Sequence, residues 1–148
     1  MKYTCLLITG LIFLLPGCGP PTDFEEGTLL ETNRTAPDEG IGEQGVHIAE
    51  DAEEFRDFWE SYGYRESPPD IDFNEHTAIL MHTGESSCEK EVAEIHTGGG
   101  SLTVDVAQEE GPCNDIYYPR SFVITVSQET MQEVEEVIFE EETFPLEE

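Results

Sequence analysis

Three groups of residues have the types and spacing from which a chemical site is commonly built. Asp70, Asp72 and Asn74 stand in Asp70-Ile71-Asp72-Phe73-Asn74-Glu75, with oxygen ligands at positions 1, 3 and 5 of a calcium loop. Such a loop needs glycine at position 6 and a bidentate Glu at position 12. Those places hold Glu75 and Met81, so an EF-hand is excluded and the segment reads as a polar turn with Ile71 and Phe73 facing a core. The histidines are His47, His76, His82 and His96; the last three share a strand parity but match no metal-binding spacing. They read as scattered surface or strand histidines, and no metal site is expected. Ser86-Ser87 lacks the Gly-x-Ser-x-Gly setting of a nucleophile elbow. Gly98-Gly99-Gly100 is followed by another strand pattern rather than a helix, so it is no phosphate cradle. Carboxylates are so abundant that an acid pair for hydrolysis can be drawn anywhere, which makes such a pair uninformative. No catalytic residue and no cofactor is expected, and the chain does not read as an enzyme.

The cysteines carry more information. The chain has four: Cys5, Cys18, Cys88 and Cys113. Residues 1–18 read MKYTCLLITGLIFLLPGC, with Lys2 in a short positive start and an apolar run from Leu6 to Leu15. A membrane-spanning helix needs about 20 apolar residues, so this run is a signal peptide rather than a span. Leu15-Pro16-Gly17-Cys18 resembles the lipobox of bacterial lipoproteins, with Pro16 departing from the usual residue. That resemblance implies cleavage after residue 17, diacylglycerol and palmitate-type acyl chains on Cys18, and an extracytoplasmic domain anchored to a lipid membrane. Gly19 after the cysteine fits onward sorting to an outer membrane where the cell has one. Residues 18–27 then read as lipidated cysteine and tether, being rich in Pro, Gly and acid. In an oxidising compartment the remaining even pair, Cys88 and Cys113, reads as a disulfide. There is no Cys-x-x-Cys and no zinc-type Cys–His spacing to favour a metal instead.

Charge narrows the partners. Asp and Glu number 34 against six Lys and Arg among 148 residues, a net charge of −28. Phosphate backbones are met with clustered Lys and Arg, so nucleic acid is excluded as a partner. The acidity suits a saline or solvated exterior, weak attraction of divalent cations, or docking of a basic protein.

The elements that would position these residues follow from periodicity. Asp51 and Glu54 start a capping-box-like helix over 52–62, with Phe55, Trp59 and Tyr62 on one face and Gly63 as its stop. Strands are expected at Thr28–Arg34, Val46–Ile48, Ala78–Thr83, Glu89–His96, Ser101–Gln108 and around Phe122–Val126. Thr97–Gly100 reads as a four-residue hairpin loop, with Ile95 facing Leu102 and Ala93 facing Val104. Val134–Thr143 reads as one last acidic strand. The expectation is a single α+β domain over 28–148: a mainly antiparallel sheet of five to six short strands with one amphipathic helix packed on it.

The stretch from Val46 to Val126 resembles the C-terminal domain of the PrcB family, accessory subunits of a protease complex often found alone in small lipoproteins. The resemblance rests on HIAEDAEEFRDFWESYG with Trp59, on Pro68-Pro69 and Asp72-Phe73, on TAILMHTGE, and on YYPRSFVITVS. GESSCEKEV stands where many members have Thr-Gly-Gly-Tyr, which weakens transfer of a protease-partner role. The resemblance implies a non-catalytic, protein-binding or stabilising module in the cell envelope. The alternatives are a structural or stress-related lipoprotein without a specific ligand, and a carboxylate-based hydrolase.

Overall fold

A computed structural model describes residues 20–146; the expected signal peptide (1–17) and Cys18 lie outside them. The chain runs β1 (Thr22–Asp23), β2 (Thr28–Asn33), a 3₁₀ turn (Asp38–Gly40), β3 (Gly45–Ala49), α1 (Ala52–Ser61), β4 (His76–Glu85) and β5 (Lys90–Gly98). It continues with β6 (Ser101–Gln108), β7 (Tyr118–Ser127), the single-turn α2 (Gln128–Met131), β8 (Glu136–Phe139) and β9 (Glu142–Pro145). The fold is α+β and mainly antiparallel. The strands form two sheets rather than one: β1-β2-β7-β4-β3, and β5-β6-β8-β9 with β6 and β8 parallel.

Strands β4 and β7 explain the layering. They are central in the first sheet and pair over ten residues, from His76 with Ser127 to Glu85 with Tyr118. A strand covered on both faces reads as a continuous apolar run, as TAILM and FVITV do. Ile79, Met81, Phe122, Ile124 and Val126 pack against the second sheet through Ile95, Leu102, Val104, Val137 and Phe139. Ala78, Leu80 and Val123 point the other way, onto Phe55, Trp59 and Tyr62 of the helix segment. The result is three layers: helix, sheet, sheet. Helix α1 begins where Asp51 accepts hydrogen bonds from the Glu53 and Glu54 amides at 2.8 and 2.9 Å, and the chain turns away at Gly63 with φ +75°.

Four expectations need correction. The described residues form nine strands, not five to six, and these divide between two sheets. The tether read at 18–27 joins the fold from Thr22 onward, because β1 pairs with β2 and Phe24 packs against the core. The expected strand Val134–Thr143 is instead the hairpin of β8 and β9, turning at Glu140 and Glu141 with φ 47° and 70°. Turns of that kind favour Asn and Gly, so three consecutive glutamates give no signal for one. The β5–β6 turn is the pair Gly99-Gly100, both in the left-handed region, which sets Ile95 opposite Val104 and Thr97 opposite Leu102. A bulge between Val92 and Glu94 leaves Ala93 outside the ladder, so it does not face Val104. The shift by two preserves parity, so Ile95, Leu102 and Val104 still share one face.

Cys88 and Cys113 form a disulfide, with Cα atoms 5.4 Å apart and 25 residues of sequence separation. Cys88 is buried just before β5 and Cys113 is exposed in the 109–117 loop before β7. The bond thus ties that loop back to the sheets. We predict that Cys113→Ser lowers unfolding free energy by about 3–4 kcal/mol, the chain-entropy value for a loop of this length. Guanidinium unfolding of oxidised wild type against the variant measures it; equal midpoints would show that the loop is held without the bond.

Candidate functional site

At the carboxyl end of β4, Glu85 is buried and its carboxylate is fully engaged. Arg120 of β7 grips it twice, Nε to Oε2 at 2.8 Å and Nη2 to Oε1 at 2.7 Å. Arg34 Nε donates to Oε1 at 3.0 Å and the Lys90 amide to Oε2 at 2.9 Å. Burial alone raises the pKa of Glu85, but the hydrogen bonds from Arg120, Lys90 and Arg34 outweigh it and hold the carboxyl below its ordinary range. Saturated in this way, Glu85 anchors the surface around it and has no lone pair free for catalysis.

A second cluster joins β3, the end of α1 and β4. The Tyr62 hydroxyl lies 2.9 Å from His47 Nδ1 and 3.0 Å from His82 Nδ1. It has one hydrogen, so it donates to one imidazole and accepts from the N–H of the other. Burial, with His47 as the second cause, pushes the His82 pKa down to about 4; burial also lowers His47 and raises Tyr62. Near neutral pH the three groups are therefore uncharged and bonded to one another, with no acid or nucleophile among their described partners. Gly40 and Gly45 lie flat on the His82 ring: a Cβ on them would sit 2.4 and 2.2 Å from ring atoms. That contact seats the 37–45 loop. Between this loop and α1 opens a groove of about 740 Å³, with His47, His82 and Phe58 in its lining and Asp38, Glu39 and Asp57 around them.

The same loop borders a cleft of about 480 Å³ on its other side, with Glu43 and Gln44 common to both. Its far wall is the end of the disulfide-tied loop. Tyr117 lies against Gly84, where an added Cβ would come within 2.3 Å of the ring. Its hydroxyl accepts a hydrogen bond from the Gly42 amide at 2.9 Å, joining the two loops. The exposed large hydrophobics among the described residues are Ile41, Ile116 and Tyr117, at 59, 51 and 46% exposure. All three are on these loops: Ile41 directly precedes Gly42, and Ile116 directly precedes Tyr117. Glu43 and Asp115 stand in the cleft lining with Ile116 and Tyr117. Ile116 and Tyr117 thus expose apolar surface in a cleft whose lining also carries Glu43, Lys90 and Asp115.

The residues singled out by type fare unevenly. Cys88 and Cys113 are brought together; Cys18 is outside the described residues. The 70–75 segment is a turn in which Asp72 accepts from the Asn74 amide and side chain, each at 3.0 Å, while Ile71 and Phe73 pack on the helix-side core. His76 and His82 keep the same parity along β4, with His82 buried beside His47, but His96 is in the other sheet, bonded to Asp105 at 3.0 Å. The His47–Tyr62–His82 cluster has no signature in the sequence, since its members meet only when β3 pairs with β4 and the helix end lies over both. The patch of Ile41, Ile116 and Tyr117 was likewise missed; aliphatic and aromatic residues inside acidic loops were its one visible sign.

The neutral state of His82 has a pH consequence. Unfolded, it takes up a proton below about 6.5; folded, it resists protonation down to about 4. Stability is therefore lost as pH falls through that window, by about 3 kcal/mol for this group alone. We predict that thermal melts from pH 7 to 4.5 show this fall in the wild type and a shallower one in His82→Gln. Parallel curves for the two proteins would place the pH dependence elsewhere.

Comparison with known protein families, curated proteins and solved structures finds no match to this chain.

Proposed function

We propose that this chain is an envelope-anchored, non-enzymatic lipoprotein whose domain is a protein-binding module. Its docking surface is the face built by the 37–45 and 109–117 loops, and its partner is a protein segment that combines basic with aliphatic side chains. The observation that carries this reading is the exposure of Ile41, Ile116 and Tyr117 on two loops held together by the Tyr117–Gly42 hydrogen bond. Exposed apolar groups scattered singly need no explanation, whereas a cluster rimmed by charge does. Asp38, Glu39, Glu43, Asp57 and Asp115 in the linings of the two adjoining clefts supply the acidic rim. In a chain of net charge −28 they favour a cationic partner and steer its approach. The saturated state of Glu85 and the neutral state of the His47–Tyr62–His82 cluster support binding over catalysis. The LPGC sequence at Leu15–Cys18 supports acylation of Cys18, and the disulfide suits an oxidising compartment. Stable anchoring by acyl chains takes two signals or two chains, which a diacylated cysteine supplies.

Two readouts test the two halves of this proposal. Metabolic labelling with a fatty-acid analogue is expected to mark the wild type and not Cys18→Ala; label retained in the variant contradicts the anchor. For the module, the protein is offered a peptide array of systematically varied charge and aliphatic content. Binding is expected to select Lys or Arg beside Leu or Ile, and to weaken at least about tenfold in Ile116→Asp and in Tyr117→Ser, the loss typical of a central anchor residue. Binding indifferent to both substitutions would contradict the proposed surface.

A further inference from the structure

We propose that Glu94, His96 and Asp105, on the outer face of the β5–β6 hairpin, bind a first-row transition-metal dication of the Zn²⁺ type. One ligand atom from each lies within 4.8 Å of the other two. The placement follows from the strands. Ile95 and Val104 are buried in the core between the sheets, so their neighbours Glu94, His96 and Asp105 project to the opposite face.

The bulge before Glu94 decides what faces what. Continued from the pairing of Val92 with Val106, the ladder would set Glu94 opposite Val104. Instead the register shifts, and Glu94 becomes the direct cross-strand partner of Asp105. Like charges directly opposite one another in a sheet are destabilising. No Lys or Arg among the described ion pairs relieves them: Arg34, Lys90 and Arg120 are held by Glu85, Glu89 and Glu140. What does approach is the imidazole of His96, whose Nε2 lies 3.0 Å from Asp105 Oδ2. The hairpin therefore holds two opposed carboxylates with a ring nitrogen turned toward them, an arrangement that a shared cation stabilises.

The donor set selects the class of ion. Ca²⁺ and Mg²⁺ favour oxygen ligands alone, whereas imidazole with carboxylates suits Zn²⁺, Mn²⁺, Fe²⁺ or Ni²⁺. Zinc bonds to His nitrogen and carboxylate oxygen run to about 2.0–2.2 Å, so ligands on one ion stand roughly 3–4 Å apart. Binding therefore requires side-chain rotation at these outward-facing positions. Three protein ligands on one side leave the remaining positions open to water or to a further ligand.

The test is calorimetric titration of the detergent-solubilised, disulfide-bonded protein with ZnCl₂ at pH 7.5 in physiological salt. One saturable site is expected. Glu94→Gln and His96→Gln should each weaken it at least about tenfold, the scale on which loss of metal-site residues acts. In NMR the His96 ring resonances should shift while those of His47 and His82 stay in place. Excess Ca²⁺ should leave the zinc isotherm unchanged. Circular dichroism checks that both variants keep the wild-type fold. Uptake without saturation, or isotherms that coincide in wild type and both variants, would overturn the proposal in favour of diffuse attraction to the net charge.

Discussion

The architecture hangs on one buried ion pair. Glu85 ends β4, and the registered pairing sets it opposite Tyr118, so Arg120 reaches it diagonally across the ladder. Removing one partner of a buried pair strands the other in a dry site and costs about 3–5 kcal/mol. This pair also does more than join two strands. Arg34, at the exit of β2, completes the carboxylate's shell and lies over the Tyr118 ring at 4.7 Å. The Lys90 amide, the first of β5, donates to the same carboxylate. The first sheet and the start of the second are thus registered on one side chain. In a chain with 34 acids and six basic residues, committing two arginines to a single glutamate is a heavy structural use of scarce positive charge.

The proposed docking surface is built outward from that point. Gly84 precedes Glu85 and gives Tyr117 its seat; Tyr117 is one residue from Tyr118, the strand partner of Glu85. Cys88 lies three residues beyond Glu85 and carries the bond to Cys113. On the other side, His82 supports the 37–45 loop through Gly40 and Gly45. Lys90 and Glu140, 2.6 Å apart, extend the same network toward the β8–β9 turn, and Gln44 Nε2 reaches Glu140 at 3.0 Å. The left-handed backbone of Glu140 is thereby tied to polar partners on three other segments, Thr83 among them. Loops fixed at both ends on a rigid frame present side chains at low entropic cost to binding.

Local chemistry was the legible part of the sequence. Asp51, the Phe55-Trp59-Tyr62 stripe and Gly63 specified α1 because capping and helical periodicity are properties of a short window. The alternation in β4 through β7 was legible for the same reason, as was the Cys88–Cys113 pairing from its setting. What stayed hidden depended on distant parts of the chain. Two sheets and one sheet share the same strand periodicity, so the parallel docking of β8 on β6 left no local trace. The turn at Glu140 runs against residue preference and is held by tertiary contacts, which no window contains. The bulge at Ala93 is likewise invisible as a pattern, yet it determines that Glu94 and Asp105 face each other. His47, Tyr62 and His82 read as separate residues until β3 pairs with β4.

On this reading the 37–45 and 109–117 loops form one preformed surface, joined at Tyr117 and Gly42. Amide hydrogen exchange at Gly42, followed by NMR, tests it most directly, because that N–H has Tyr117 Oη as its acceptor. Gly42 is expected to exchange slowly in the wild type and at the rate of an open loop in Tyr117→Phe, while core amides of β4 and β7 keep their protection. A Gly42 amide that exchanges freely in the wild type, or that is equally protected in Tyr117→Phe, would contradict it.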